Sequence, residues 1–145
     1  MQRLYFPVIA LLMALFSFTP VHAAKEPDGP AQQAAEQWLA QTEATATVHL
    51  WQIFYDKTGT YAVAVATYSL PDEGNMVHCA VAVLRKEKTG TYTFIKEAKP
   101  ANGEYGQTEN VRFEGKTAFV SAKVLRENDP RCCPTGEKTW KITLP

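Results

Sequence analysis

The apolar positions of the chain follow two different periods, and the change falls near residue 47. Residues 31–41 read AQQAAEQWLAQ, in which apolar side chains recur three and four positions apart. That spacing places them on one side of an amphipathic helix, and Pro30 suits its first turn because proline has no N–H to lose there. The apolar stripe is mostly alanine with one tryptophan, Trp38, so the predicted helix can lie close to a sheet.

From Thr47 onward, β-branched and aromatic residues form short runs bounded by turn residues, a pattern typical of strands. The runs are VHLWQIFY, TYAVAVATYSL, VHCAVAVLRKE, TYTFIKEA, NVRFEG, TAFVSAKVL and TWKITL. The spacers between them are short, which favours antiparallel hairpins because parallel neighbours need longer crossovers. We therefore predict an α+β fold with the N-terminal amphipathic helix packed on one antiparallel sheet of six or seven strands.

Two of the runs have one bulky face and one small face. In residues 61–66 tyrosine and valine alternate with alanine, and residues 77–84 repeat the contrast. One small face is what a sheet needs if a helix lies across that side. The first run, residues 48–55, is instead apolar on both faces. We expect that strand to be central in the sheet or covered on both sides.

The pentapeptide KTGTY occurs at residues 57–61 and again at 88–92, each time between two strand-like runs. Gly59 and Gly90 can supply the positive φ that a tight hairpin turn needs. We interpret the repeat as two separate hairpins that use the same turn residues. An internal duplication is the alternative. Residues 99–110 form the most polar and glycine-rich connection, and long loops of this kind often carry function. Tyr105 in that loop is the aromatic residue that we expect to be exposed.

The first 23 residues have the features of a signal peptide. A short basic start precedes the apolar stretch LYFPVIALLMALFSF, and small or branched residues stand at Val21 and Ala23. We expect residues 1–23 to be removed and residues 24–145 to form a single α+β domain in the periplasm, or outside the cell, without a stable membrane anchor. An uncleaved anchor is the alternative. The formal net charge is +0, so no basic excess points to nucleic acid or to an anionic membrane.

The chain has three cysteines, Cys79 in a predicted strand and the adjacent pair Cys132 and Cys133 in DPRCCPTG. Export favours disulfides, and we expect a bridge from Cys79 to Cys132 or Cys133. A vicinal bridge within the pair is a second interpretation. A metal site formed by the three cysteines and His78 is a third. Redox chemistry is a fourth, in which one cysteine is bridged and its neighbour attacks, with a thiol pKa lowered by Arg131. Three cysteines cannot all pair in one molecule, which leaves open a disulfide-linked dimer.

The segment from residue 110 to residue 142 resembles the C-terminal half of the LppP/LprE family of exported bacterial lipoproteins. That family has two strands, a D-P-x-C-C-P-[ST] turn and a last strand with an aromatic residue. The matching positions are Asp129, Pro130, Cys132, Cys133, Pro134, Thr135 and Trp140. The resemblance implies a small exported domain with a cysteine bridge. This chain departs from the family because no lipid-bearing cysteine follows its apolar N-terminal stretch.

The sequence contains no recognisable catalytic constellation. No serine lies in a G-x-S-x-G elbow, His49 and His78 lack metal-ligand spacing, and the carboxylates of predicted turns, such as Asp129, normally serve the backbone. We therefore expect a non-enzymatic binding module, such as an adaptor or an inhibitor/immunity-type protein, without metal or cofactor. Its partner would be another exported protein, contacted through Tyr105 and Arg131. The alternative is a thiol-active redox or metal-binding protein that uses the Cys132–Cys133 pair.

Overall fold

The computed structural model describes residues 29–74, 76–98, 108–130 and 133–145. The predicted signal peptide, residues 1–23, lies outside this part of the chain. The elements in chain order are α1 (Pro30–Thr42), β1 (Thr47–Tyr55), β2 (Tyr61–Ser69), a 3-10 turn (Pro71–Glu73), β3 (His78–Lys86), β4 (Tyr92–Glu97), β5 (Thr108–Glu114), β6 (Thr117–Val124) and β7 (Gly136–Thr143). The predicted helix and all seven predicted strand runs are confirmed.

The strands form two antiparallel sheets, of order β1-β2-β3-β4 and β5-β6-β7. The α+β class and the antiparallel pairing are therefore confirmed, but the prediction of one sheet of six or seven strands is wrong. Within each sheet every strand pairs with its neighbour in the sequence, as short hairpin connections require. The longer connection after β4 takes the chain out of the first sheet, and β5 begins the second.

The helix packs on the alanine face of the first sheet. Ala31 and Ala35 of α1 are fully buried, and the facing sheet residues are Ala62, Ala64, Ala66, Ala80 and Ala82. Because alanine carries only a methyl group, the helix can approach the strands closely. Trp38 fills the space toward β4, where its ring stacks on Phe94 with 5.0 Å between centroids. The predicted stripe of α1 is thus its buried face.

The opposite, bulky face of the first sheet is covered by the second sheet. Its members in the core are Val63, Val65, Cys79, Val81 and Val83, and they meet Val111, Ala118, Val120, Ile142 and Leu144. The fold therefore has three layers, with α1 on one side of the central four-stranded sheet and the three-stranded sheet on the other. Strands β2 and β3 are buried on both faces, which explains their nearly continuous apolar sequences.

We expected β1 to be central or covered on both sides; it lies at the edge of the first sheet, so the central position is wrong. Its first four residues, Thr47 to Leu50, are all exposed, and the register shifts between Val48 and Leu50. Farther along, Ile53 is buried on the helix side and Phe54 packs against the core between the sheets. The strand is apolar on both faces because its second half lies between two layers.

The two KTGTY segments form hairpin turns at the same end of the molecule. Gly59 has φ 66 and Gly90 has φ 90, so the predicted need for positive φ is confirmed. The Tyr92 hydroxyl donates a hydrogen bond of 2.6 Å to the Gly59 carbonyl, and the Lys86 amide donates one of 2.8 Å to the Thr60 carbonyl. The turns are thus tied together side by side.

Candidate functional site

The end of the molecule opposite the KTGTY turns brings several connections together. In the first sheet, Thr47 at the start of β1 pairs with Ser69 at the end of β2. Tyr68 then pairs with His78 at the start of β3. The α1–β1 and β2–β3 connections therefore meet at this end.

The second sheet contributes its own connections to the same end. Cys79 Sγ lies 3.7 Å from Thr108 Oγ1, so β5 starts beside the start of β3. Thr108 pairs with Ala122 near the end of β6, and Val124 pairs with Gly136 at the start of β7. The β6–β7 connection, which contains the DPRCCPTG segment, consequently begins and ends here. We call this end of the sandwich the loop end.

Most of the exposed large hydrophobic side chains lie at the loop end. Six such residues occur in the described part of the chain, and five of them belong to this end: Val48, Leu50, Met76, Val77 and Leu125. Met76 and Val77 are 52% and 57% exposed. The sixth, Phe94, is partly covered by the Trp38 ring. Single exposed apolar residues are ordinary, but their concentration in one region is typical of a contact surface.

The two histidines near the loop end are engaged with neighbours. His49 Nε2 lies 2.9 Å from Ser69 Oγ. His78 forms a hydrogen-bonded pair with Glu73, and its ring stacks on Tyr68 with centroids 5.4 Å apart. His78 therefore faces the helix side of β3, whereas Cys79 faces the second sheet, which separates two members of the metal site that the sequence left open. Within the described residues no group of three or more His, Cys, Asp or Glu side chains is arranged to hold a metal ion.

Asp129 organises the β6–β7 connection. Its Oδ2 accepts hydrogen bonds from the amides of Arg126, at 2.8 Å, and Thr135, at 2.7 Å, and its Oδ1 accepts one from the Thr135 hydroxyl at 2.8 Å. The two backbone donors, Arg126 first, hold the pKa of the Asp129 carboxyl below its ordinary value. The prediction that this carboxylate serves the backbone is confirmed. These hydrogen bonds explain why the DPRCCPTG segment has an aspartate and, six positions later, a threonine: the two residues bond to each other and close the loop.

Cys79 carries a free thiol, so the predicted bridge from Cys79 to Cys132 or Cys133 is not present and that expectation is corrected. The thiol lies in the core between the sheets beside Thr108, and burial raises its pKa. The expectation assumed that the last strand joins the sheet of Cys79. Instead β7 belongs to the second sheet, where β6 separates it from β5. Cys133 is disulfide-bonded, and with Cys79 free the bond does not involve that thiol.

Three residues of the predicted site, Tyr105, Arg131 and Cys132, lie outside the described residues, and their roles stay predictions. The sequence analysis missed Met76, Val77 and Leu125. A weak signal was present, because Met76 and Val77 form an apolar pair in the turn-rich segment just before β3. Trp140, the aromatic residue of the last strand, packs against the core between the sheets. Its buried indole N–H has no hydrogen-bond acceptor among the described residues.

Comparison of the chain with known protein families, with curated proteins and with solved structures returns no match. The resemblance to the LppP/LprE family therefore stays a prediction from the motif alone. Within the described ranges, no helix combines the length and the hydrophobicity needed to span a bilayer.

Proposed function

We propose that this protein is a small, exported, non-enzymatic binding module, periplasmic or secreted, that holds another exported protein at its loop end. The observation that carries the proposal is the placement at that end of five of the six exposed large hydrophobic side chains among the described residues. The connection that contains Tyr105 leads into β5 at the loop end, and Arg131 lies in the β6–β7 connection. The described strand ends that flank these two positions, Thr108, Val124 and Gly136, lie in one region.

The chemistry of the exposed residues suits a protein partner. Burying aliphatic side chains such as Val77 and Leu125 against a partner releases apolar surface from water. Met76 is flexible and polarizable, so it can adapt to an irregular partner surface. The hydrogen bonds of Asp129 hold part of the β6–β7 connection in one conformation, which lowers the entropy lost on binding.

The test is retention of a partner from envelope extract by the immobilised protein and by two charge variants. Val77→Lys places a cation on the proposed surface, at a 57% exposed position, whereas Gln33→Lys places one on the exposed side of α1. We expect the wild-type protein and Gln33→Lys to retain the same defined component and Val77→Lys to lose it. Equal retention by both variants, or no saturable component at protein concentrations of about 10 µM, would contradict the proposal.

A second function, thiol chemistry, is favoured by one observation: Cys133 is disulfide-bonded and exposed. An exposed bridge is more readily reduced than a buried structural one. Equilibration with glutathione buffers tests this, because redox-active bridges have midpoints from about −270 to about −120 mV, whereas structural bridges have midpoints below about −300 mV. Cys79 serves as the internal reference, since its buried thiol with a raised pKa should resist alkylation until the protein unfolds.

A further inference from the structure

The edge strands of the two sheets differ in charge. Strand β4, YTFIKE, contains two charged side chains, Lys96 and Glu97. Strands β5, TENVRFE, and β7, GEKTWKIT, contain three each. Strand β1, TVHLWQIFY, contains no lysine, arginine, aspartate or glutamate and no proline. Charged residues and proline on an edge prevent pairing with another strand. Only β1, of these four edges, lacks them.

Strand β1 is also long and accessible. It has nine residues and, within the described part of the chain, a strand neighbour on one side only, β2. Val48 and Leu50 are 36% and 37% exposed on this edge. The outward backbone groups of an edge strand need hydrogen-bond partners, either water or a further strand. An uncharged edge of this length is therefore a template for strand pairing.

We propose that β1 pairs antiparallel with β1 of a second copy of this chain about a two-fold axis, which joins two four-stranded sheets into one continuous sheet. An axis perpendicular to the sheet keeps both α1 helices on one side and both three-stranded sheets on the other, so the layers of the two copies match. The formal net charge of the chain is +0, so no net repulsion opposes association of two copies near neutral pH.

The sequence of β1 favours one register. The bulge between Val48 and Leu50 leaves a regular stretch from Leu50 to Tyr55. Placing the axis at Gln52 sets Leu50 opposite Phe54 of the second copy and Trp51 opposite Ile53, so apolar side chains face apolar side chains. Gln52 then lies opposite its own copy, where two side-chain amides can hydrogen-bond to each other. Val48 and Leu50 of β1 belong also to the loop end, but Met76, Val77 and Leu125 lie outside the β1 edge, so variants at Gln52 and at Val77 test the two proposals separately.

The experiment measures the mass of the folded protein in solution by sedimentation equilibrium, from about 10 µM to about 1 mM under reducing conditions. We expect the wild-type protein to shift from monomer toward dimer over this range. Gln52→Lys and Gln52→Glu each place like charges opposite one another and should be monomeric at every concentration. An equimolar mixture of the two variants should recover the dimer, because opposite charges then meet at the axis.

Asn110→Lys, on the already charged edge β5, is the matched control and should dimerise as the wild-type protein does. Circular dichroism of each variant checks that it is folded. A wild-type protein that stays monomeric at about 1 mM overturns the proposal. So does a dimer that survives both Gln52 variants, or a mixture that fails to restore association. A dimer that forms without reductant and is absent under these reducing conditions would be the disulfide-linked form and would also overturn the proposal.

Discussion

The two faces of the four-stranded sheet are buried with side chains of different size. The helix face presents alanines at 62, 64, 66, 80 and 82, whereas the other face presents valines at 63, 65, 81 and 83. All of these residues are 6% exposed or less. The same two strands therefore contribute small side chains to one core and larger side chains to the other.

The difference follows from what covers each face. A helix brings its own large side chains, here Trp38 and Leu39, and needs small sheet residues beneath them. A second sheet packs about 10 Å away, so side chains from both sheets must fill the gap. The alternation of Ala and Val along β2 and β3 thus encodes which layer lies on which side. We therefore expect substitutions on the two faces to lower the free energy of unfolding for different physical reasons.

The largest loss is expected from removing the side chain that fills the helix face. Trp38 is 7% exposed and stacks on Phe94, so Trp38→Ala should lower the free energy of unfolding by about 4 kcal/mol. Urea unfolding followed by circular dichroism measures the loss. Gln37→Ala, on the exposed side of the same helix, should change stability by less than about 0.5 kcal/mol. If the two variants are equally stable, α1 does not close this core.

Overfilling the helix face should cost somewhat less. Ala64 is 0% exposed beneath α1, and Ala64→Leu adds three carbon atoms where no space exists. We expect a loss of about 3 kcal/mol in unfolding free energy, because the helix must shift away from the sheet. Ala40→Leu, at an exposed position of α1, is the control and should be nearly neutral. A tolerated leucine at position 64 would mean that the alanines do not set the helix–sheet distance.

The sequence predicted the elements and the faces well because both follow from side-chain periodicity. The stripe of α1 and the alternation in β2 and β3 identify which side chains are buried without reference to the rest of the chain. Hairpin turns with Gly59 and Gly90 then determine which strands pair. These are local relations, and local relations can be read from a sequence.

The division into two sheets could not be read in this way. Each strand of a meander pairs with the next by the same local rules, and nothing in the residues between β4 and β5 shows that the sheet ends there. A clue lay in β2 and β3, whose bulky face needed a cover that a single helix on the small face does not provide. The same error affected the site, because the expected bridge from Cys79 assumed that β7 and β3 share a sheet.

On the face that packs against the second sheet, which we call the valine face, we expect destabilisation from a cavity rather than from overfilling. Val65 is 1% exposed, and Val65→Ala removes two methyl groups from the core. The two rigid sheets cannot move together to fill the resulting cavity. We expect a loss of about 2 kcal/mol in unfolding free energy, measured in urea. Val77→Ala removes the same groups from a 57% exposed position and should be nearly neutral. A loss at Val65 as small as that at Val77 would show that the second sheet does not pack tightly on this face.

The smallest effect concerns the one thiol on the valine face, and it depends on pH. Cys79→Ala should cost about 1 kcal/mol near pH 7, since one buried heavy atom is lost. Burial raises the pKa of Cys79 above its ordinary value of 9.0, so the folded state keeps its proton where the unfolded state loses it. The contribution of the thiol is therefore full below pH 9.0 and is lost as the pH rises above that value toward the raised pKa.

Urea midpoints measure this pH dependence. The difference in midpoint between the wild-type protein and Cys79→Ala should become smaller from neutral to alkaline pH. A difference that stays constant or widens at alkaline pH would indicate that the Cys79 thiol is accessible to solvent, and the valine face would then be open where the two sheets meet at the loop end.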